Sequence, residues 1–336
     1  MIAFEVACSR GLLLTLGMLV LGPLLLDSLL RALFVGMSSL SVPRHEPVAL
    51  PVVSVAVVIP AHNEAATVSD TVTRLRAGTP TGAVFVIADH CTDATAAAAR
   101  RAGAQVWERK GLGERGKGPA LRWFLGVAKH ELGCHNAIAV FDADSMAEEG
   151  FLEHCVSALA NGVDAVQGYV QPQSGGSTAA DLAAYSEILS QRIDDQARLR
   201  LGWPTPLRGT GMLFRREAME TLVPKLKTRV EDVELSLLLA TEGRTVRFLP
   251  RAIVGDPKPA AARGVAAQRG RWLQGQVEVW RGYWRDILKL AVRGGPALWS
   301  LLGALLFKPK VLVFVAKLLL ALVIWSAAIE PQWLNT

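Results

Sequence analysis

Ala139-Val140-Phe141-Asp142-Ala143-Asp144-Ser145 is the stretch that decides the fold of this chain. The apolar run from Ala137 to Phe141 leads into it, and apolar residues on both faces predict a buried strand of a parallel sheet. Two carboxylates follow one residue apart, at the end of the strand where open α/β sheets bind their ligands. Paired oxygen ligands on a short turn suit a divalent cation that also holds a diphosphate. Asp and Ser are also common in solvated turns, so Asp142 and Asp144 are candidate metal ligands only if the surrounding motifs agree.

Alternating strands and helices around this motif predict an α/β domain with a parallel sheet and right-handed crossovers. Pro60 is expected to end the first strand, and the next residues to open a helix. Glu64 falls in the first turn of that helix, where a carboxylate also complements the helix dipole. Asp89 follows the second strand as Asp142 follows the fourth, so we expect both at one edge of the sheet. The predicted strands span 53–59, 83–88, 105–107 and 137–141.

Three later segments carry further candidate residues. Lys117 lies in a basic, glycine-containing loop and is a plausible phosphate ligand, although a solvated loop explains it equally well. Gly209-Thr210-Gly211 precedes another strand and indicates a surface where a second group comes close. Glu231 and Asp232 begin a helix, where acids compensate the dipole. Asp232 is also a candidate general base for an acceptor hydroxyl.

Both ends of the chain are strongly apolar. The chain has 336 residues, of which 51% are hydrophobic. Residues 11–33 and 311–329 are each long enough to cross a bilayer, whereas 296–307 is too short and is expected to lie in the interface or to re-enter. The middle of the chain has a mixed composition whose length suits one α/β domain.

A long helix is predicted from about Arg263 to about Leu290. It combines one apolar stripe with cationic edges, which is typical of a helix lying on a membrane, with its tryptophans at headgroup depth. An amphipathic helix packed on the domain core gives the same pattern. The stripe consists of Leu273, Val277, Trp280, Trp284 and Ile287, and the edges of Arg269, Arg271, Arg281 and Arg285.

Charge and cysteine content narrow the function classes. The net charge of +6 is compatible with nucleic acid, anionic lipid or a phosphorylated substrate. No basic run interleaved with aromatic residues occurs, so a nucleic-acid partner is not expected. The four cysteines have no C-x-x-C spacing and indicate neither a zinc site nor a disulfide framework. Basic residues between the two predicted spans place the middle domain in the cytosol, on the inner (cytoplasmic) membrane.

Seven short motifs stand in order along the chain. They are Val58-Ile59-Pro60-Ala61-His62-Asn63-Glu64, Asp89 with Asp93, Arg115-Gly116-Lys117-Gly118, Asp142-Ala143-Asp144, Gly209-Thr210-Gly211, Glu231-Asp232, and Gln268-Arg269-Gly270-Arg271-Trp272. In this order they resemble the membrane-bound family 2 glycosyltransferases, which include cellulose, hyaluronan and poly-N-acetylglucosamine synthases and lipid-glycosylating relatives. The resemblance covers about residues 52–290.

The resemblance implies a GT-A (Rossmann-like) fold with a mixed sheet, flanked by transmembrane and interfacial helices. By this analogy residues 1–50 form a transmembrane helix and linker, 51–262 the GT-A catalytic domain, 263–295 the interfacial helix, and 296–336 the C-terminal membrane segment or segments.

The same resemblance assigns a nucleotide-activated sugar, with a lean towards UDP, as donor and Mg²⁺ or Mn²⁺ as cofactor. Asp89 would contact the nucleoside base and Asp142 the nucleotide sugar, and Asp144 would hold the metal on the diphosphate, with Asp142 as a second candidate ligand. Pro60, Glu64 and Lys117 are assigned to nucleotide-sugar binding.

On the acceptor side, Asp232 takes the position of the base, next to Glu231, in a transfer that inverts the anomeric carbon. The resemblance assigns Gly209, Thr210, Gly211, Gln268, Arg271 and Trp272 to binding the diphosphate and the acceptor. Val230 departs from the threonine usual before this Glu-Asp pair.

The predicted spans are too few to line a polymer channel. Three interpretations stay open: transfer of one sugar to a membrane lipid, a polymerase completed by a partner subunit or homo-oligomer, or a product delivered to the cytosolic leaflet. A catalytically inactive, membrane-anchored nucleotide-sugar-binding subunit is the alternative to an enzyme. A nucleotidyltransferase would carry a glycine-rich loop after the first strand, where this chain has Ala61-His62-Asn63-Glu64.

Overall fold

The computed structural model describes residues 28–40, 53–78, 82–111, 113–173, 176–257 and 262–306, with residues 315, 318 and 319. Most of the predicted span at 311–329 and most of the span at 11–33 lie outside these residues. Within the described ranges, no helix combines the length and the apolar character needed to cross a membrane.

Eight strands form one mixed sheet in the order β3-β2-β1-β4-β7-β6-β8-β5. The first four strands in this order are parallel, as predicted. β7 runs antiparallel to both its neighbours, and β8 is parallel to β6 and antiparallel to β5. The strands are β1 (Val55–Ala61), β2 (Ala83–Asp89), β3 (Gln105–Arg109), β4 (Ala137–Val140), β5 (Met146–Ala147), β6 (Ala165–Gln173), β7 (Met212–Arg215) and β8 (Val246–Pro257).

Helices cover both faces of this sheet. A π-helical segment, Ser190–Asp195, joins two of them, and α11 has a kink at Tyr283. The helices are α1 (28–38), α2 (Val68–Ala77), α3 (Thr95–Arg101), α4 (Lys117–Val127), α5 (Lys129–Gly133), α6 (Phe151–Ala160), α7 (Thr178–Leu189), α8 (Gln196–Leu201), α9 (Arg216–Leu222), α10 (Glu231–Thr241), α11 (Ala262–Arg293) and α12 (Gly295–Leu306).

Each face of the sheet has its own hydrophobic core. Alternate residues of β1 point to opposite faces, and both sets are buried, as expected for a central strand. Val58 belongs to a core that includes Phe124 of α4 and the leucines of α10. Val57 belongs to the other core, with Phe151 of α6.

β1 continues through Pro60, so the prediction that this proline ends the strand is wrong. The Val58 carbonyl accepts a hydrogen bond from the Phe141 N–H of the neighbouring chain segment, and β1–β4 pairing stops at Val58 and Val140. Residues two apart in a strand direct their backbone N–H and C=O groups to the same side, so Pro60 faces the same side as Val58. β4 no longer pairs with β1 at the position of Pro60. The missing N–H of Pro60 therefore interrupts no ladder, and the β2 side still pairs Pro60 with Ile87.

The apolar stripe predicted for α11 divides into two parts. Ile287 packs into the core with Val279 and Tyr283. By contrast, Trp280 is 40% exposed and Trp284 is 53% exposed, and Leu273 and Val277 are also exposed. The helix therefore packs on the core along one face and presents a second apolar face beside it.

The short apolar segment at 296–307 forms α12. It packs against α10 and α11, and its buried leucines belong to the core on that side of the sheet. The leucines are Leu301, Leu302, Leu305 and Leu306.

Candidate active site

The candidate residues meet at one edge of the sheet because of strand direction. Asp89 is the last residue of β2, and Asp142 follows the end of the parallel strand β4. β7 runs the opposite way, so its beginning at Met212, and the Gly209-Thr210-Gly211 turn before it, come to the same edge. The topology thus brings the two acidic segments and the glycine turn together.

Thr210 connects the glycine turn to the acidic turn. The backbone N–H of Asp142 donates to Thr210 Oγ1 at 3.1 Å, and the Ser145 hydroxyl lies 2.6 Å from the same oxygen. On the other side, Thr71 Oγ1 donates to the Ala143 carbonyl at 2.8 Å. These bonds hold the backbone of the acidic turn and leave the Asp142 carboxylate available to other partners.

Lys117 lies at the centre of the site. Its ammonium group donates to Asp142 Oδ1 at 2.7 Å and to the Gly209 carbonyl, and it lies 3.7 Å from Glu231 Oε1. Burial lowers the pKa of Lys117, but the charges of Asp142 and Glu231 outweigh it and the pKa is raised. One cation therefore links the acidic turn, the glycine turn and the start of α10.

Glu231 and Asp232 occupy the first turn of α10. Burial raises the pKa of Glu231, with Lys117 opposing that shift and Asp232 adding to it. A β-carbon built on Gly209 would lie 4.0 Å from Asp232 Oδ2, so the glycine turn passes close to this carboxylate.

The Asp144 carboxylate has other acidic side chains around it. Burial raises its pKa to about 6, and the carboxylates of Asp142, Asp256 and Glu64 add to the shift. A divalent cation would compensate these charges, so the donor set fits Mg²⁺ or Mn²⁺. Among the described residues no group of three or more His, Cys, Asp or Glu side chains is arranged to hold a metal. A metal held by only one or two carboxylates takes its remaining ligands from water and substrate phosphates.

Asp89 is buried and has protein donors on both oxygens. Arg109 Nη1 and His90 Nδ1 each lie 2.7 Å from Oδ1, and the Gly116 N–H donates to Oδ2 at 3.2 Å. Asp89 thereby holds the loop that leads to Lys117. Any contact with a nucleoside base adds to these bonds or replaces one of them.

Pro60 lies within β1, and Glu64 follows the end of that strand. Glu64 Oε2 accepts a hydrogen bond from Thr67 Oγ1 at 2.9 Å, and its backbone N–H donates to Thr95 Oγ1 at 2.8 Å. The helix begins only at Val68, four residues later than Glu64, so Glu64 lies in the turn before α2.

A cavity of about 50 Å³ opens beside Asp232, between α7, α10 and α11. Trp272 is 44% exposed and lines it, whereas Arg271 is exposed and is not part of the lining. The side chain of Gln268 lies outside the side chains that the structure describes. The lining residues are Glu187, Arg208, Val230, Asp232, Val233, Trp272 and Gln276.

Helix α11 also holds the loop that leads into Glu231. The fully buried Glu234 accepts hydrogen bonds from the N–H groups of Lys227 and Thr228, from the Thr228 hydroxyl, and from Tyr283 of α11. The Tyr283 hydroxyl lies 2.5 Å from Glu234 Oε1. Burial and this bond to Glu234 raise the pKa of Tyr283.

The backbone of α11 touches the same loop. A β-carbon built on Gly275 would come 2.5 Å from Val230 Cγ1, so the two segments are in direct contact. Glu278 accepts a hydrogen bond from the Arg229 N–H at 3.1 Å. The position of the acids at the start of α10 therefore depends on the position of α11.

Several site residues were missed by the sequence analysis. Arg208 directly precedes the Gly209-Thr210-Gly211 turn, and this position is the one feature of the sequence that indicates a role in the site. Glu187 and Gln276 lie within long helical patterns that conceal them, and Asp256 lies near the end of β8. The buried partner of Arg208 is Asp195, whose Oδ2 lies 3.1 Å from Arg208 Nε.

This mixed sheet with its site at one edge is a fold found in solved glycosyltransferases. The structure superposes on a mannosyltransferase from Pyrobaculum calidifontis in complex with GDP-Man and Mn²⁺, with a TM-score of 0.61 and 21% identity, covering 94% of this chain and 86% of that one. Residues 51–275 match the model of the family described as glycosyltransferase like family 2. The chain belongs to that family.

Two curated relatives are beta-monoglucosyldiacylglycerol synthases. The protein from Nostoc sp. is 28% identical over 216 residues, which are 61% of this chain and 44% of that protein. The protein from Trichormus variabilis is 28% identical over 190 residues, which are 55% of this chain and 39% of that protein. The chain thus spans less than half the length of the curated relatives that it matches.

Proposed function

We propose that this protein is a membrane-associated, inverting glycosyltransferase that moves a sugar from a UDP-sugar to the hydroxyl of a lipid-linked or polysaccharide acceptor. The observation that carries the proposal is the position of Lys117. Its single ammonium group joins the acidic turn assigned to the donor, the glycine turn, and Glu231 next to the candidate base. Membership of the family and the lipid acceptors named for the two curated relatives support it.

The transfer follows from the roles of this chain's own residues. Asp232 takes the proton of the acceptor hydroxyl, and the acceptor oxygen attacks the anomeric carbon from the face opposite the diphosphate. The bond from that carbon to the diphosphate oxygen breaks, and its electron pair leaves with the nucleoside diphosphate. Lys117 is placed to pair with the departing negative charge. Asp142 and Asp144 would hold Mg²⁺ or Mn²⁺, which supplies further charge neutralisation of the diphosphate.

The membrane part of the proposal rests on α11. Its exposed face carries Trp280 and Trp284, and exposed cations Arg281 and Arg285 lie on the same helix. Tryptophans at headgroup depth and cations near anionic lipids are the features of an interfacial helix. We place this face on the cytosolic surface of the inner (cytoplasmic) membrane, with a partner subunit or a homo-oligomer required if the product is a polymer.

Detergent-solubilised protein tests the proposal directly. It is incubated with Mg²⁺ or Mn²⁺ and a panel of UDP- and GDP-sugars, and released nucleotide is measured with and without a membrane lipid extract. We expect lipid-dependent release with at least one donor. Asp232→Asn should lower it by about 10²- to 10⁴-fold, and Asp144→Ala should abolish it. Asp70→Asn, the same change as at the candidate base but at an exposed position on α2, is the matched control.

Nucleotide-sugar binding without nucleotide release, and with the same affinity in Asp232→Asn, would contradict the enzyme proposal. That result would favour the catalytically inactive, membrane-anchored binding subunit.

A further inference from the structure

The cavity beside Asp232 has an unusual balance of charge. Among the described residues that line it, Arg208 is the one cation, whereas Glu187 and Asp232 are both acidic. Trp272 and Gln276 complete the polar and aromatic part of the wall. The kind of ligand that this cavity binds therefore depends on whether the Arg208 guanidinium can pair with a negatively charged group of that ligand.

The Arg208 guanidinium is paired inside the protein with Asp195, a carboxylate that it shares with Arg198. Its Nε and Nη2 donate to Asp195 Oδ2, and Asp195 is fully buried. Burial lowers the pKa of Arg208, but the charges of Asp195 and Glu187 outweigh it and the pKa is raised. The guanidinium thus lies in a surplus of negative charge.

The second oxygen of Asp195 accepts a hydrogen bond from Arg198 at 2.8 Å, and Arg198 also donates to Ser300 of α12 at 3.1 Å. Asp195 is thus held on both oxygens by two arginines. Moving Arg208 towards a ligand would break a charge-assisted bond to a buried carboxylate, which is costly unless the lost charge is replaced.

We propose that this cavity selects acceptors whose reacting end is uncharged, such as a sugar or glycerol hydroxyl, and rejects acceptors that carry a phosphate beside that end. The inference rests on the proposed function and deepens it. Carboxylates at Glu187 and Asp232 accept hydrogen bonds from hydroxyl groups, and the indole of Trp272 offers an apolar face to a sugar ring. A phosphate would meet the same carboxylates while Arg208 stays bonded to Asp195, and this repulsion between like charges would discriminate against a charged competitor.

The size of the cavity agrees with this selection. A volume of about 50 Å³ is small compared with a whole lipid or oligosaccharide acceptor, so only the reacting end of such an acceptor enters the cavity. A phosphate beside that hydroxyl would then lie at the entrance, next to the lining acids. The charge of the group nearest the reacting oxygen is therefore expected to affect kcat/KM, whereas the distant tail of the acceptor should have little effect.

The test compares acceptors in pairs that differ in charge, using the full chain, Mn²⁺ and the donor that supports turnover. The pairs are diacylglycerol with phosphatidylglycerol, and an alkyl glucoside with its 6-phosphate. In each pair with at least one member that serves as an acceptor, we expect kcat/KM for the neutral member to exceed that for the anionic member by at least about tenfold. Higher ionic strength should narrow this ratio, because salt screens the repulsion.

Glu187→Gln removes one lining charge without changing the size of the side chain. We expect it to narrow the neutral-to-anionic ratio several-fold, while Glu217→Gln, an exposed acid on α9, leaves the ratio unchanged. Equal or better use of the anionic members by the unaltered protein would overturn the inference while leaving the proposed function intact. Absence of nucleotide release with every donor and acceptor would instead overturn the proposed function, and the inference with it.

Discussion

Replacing Tyr283 by Phe isolates the contact between α11 and the loop that precedes the candidate base. The substitution removes the hydroxyl that donates to Glu234 and keeps the aromatic ring in the core. Glu234 keeps its other donors, the N–H groups of Lys227 and Thr228 and the Thr228 hydroxyl. The change therefore deletes the hydrogen bond to this buried carboxylate, together with the 3.2 Å bond from the same hydroxyl to the Lys225 carbonyl.

The size of the effect follows from the bond to Glu234. A hydrogen bond to a charged group contributes about 1.5–3 kcal/mol to stability. We expect Tyr283→Phe to lower the free energy of unfolding by about 2 kcal/mol, which lowers the Tm of a domain of this size by about 4–8 °C. Because the loop leads directly into Glu231 and Asp232, kcat should fall while the KM for the donor stays close to that of the unaltered protein.

The measurements are urea unfolding in detergent and initial rates of nucleotide release. Tyr185→Phe is the matched control, since Tyr185 is 66% exposed on α7 and loses the same hydroxyl. We expect that variant to change the free energy of unfolding by less than about 0.5 kcal/mol. An unfolding midpoint of Tyr283→Phe equal to that of Tyr185→Phe, with kcat unchanged, would refute the idea that α11 positions the start of α10.

Three further predictions concern the acidic turn and the glycine turn. Asp144 is the proposed metal ligand and its pKa is raised to about 6, so a metal bound there must displace a proton below that pH. The affinity for Mn²⁺ measured by titration should therefore fall about tenfold per pH unit below that value and level off above it. Asp256→Asn removes a charge that raises this pKa, and should move the pH midpoint of Mn²⁺ binding downwards; an unmoved midpoint would contradict the assignment. Gly211→Ala should destabilise the fold more than Gly162→Ala, as judged by unfolding midpoints. Both glycines have a positive φ, but a β-carbon at 211 would come 2.6 Å from Val254 Cγ1, whereas at 162 it would meet nothing within 4 Å.

The meeting of the site residues could be predicted because it depends on strand direction. Apolar runs mark the parallel strands, and the carboxyl ends of such strands share an edge, which places Asp89 and Asp142 together. The contacts of Lys117 with Asp142, Gly209 and Glu231 could not be predicted from strand direction alone. The sequence suggests a phosphate ligand, but the distances to Gly209 and Glu231 depend on an antiparallel strand and a distant helix.

The environment of the cavity beside Asp232 could not be predicted, for a physical reason. The sequence from about Thr178 to about Leu201 predicts one long helix, whereas Ser190–Asp195 is π-helical. An extra residue in a turn rotates the following side chains by about 100° relative to a regular helix. Faces assigned from a 3.6-residue period are therefore wrong beyond that point, and the buried position of Asp195 is invisible in the pattern.

The continuity of the core on the α10 side has a practical consequence for cutting the protein into fragments. Val279 and Ile287 of α11 share that core with Leu235 of α10 and Leu305 of α12. The family match ends at residue 275, within α11, so a fragment trimmed to that limit would expose the leucines of α10 to water and is expected to aggregate. A fragment that keeps every described member of this core extends at least through Leu306. Soluble expression, crystallisation and domain-swap experiments should take that residue, and not the end of the last strand, as the boundary.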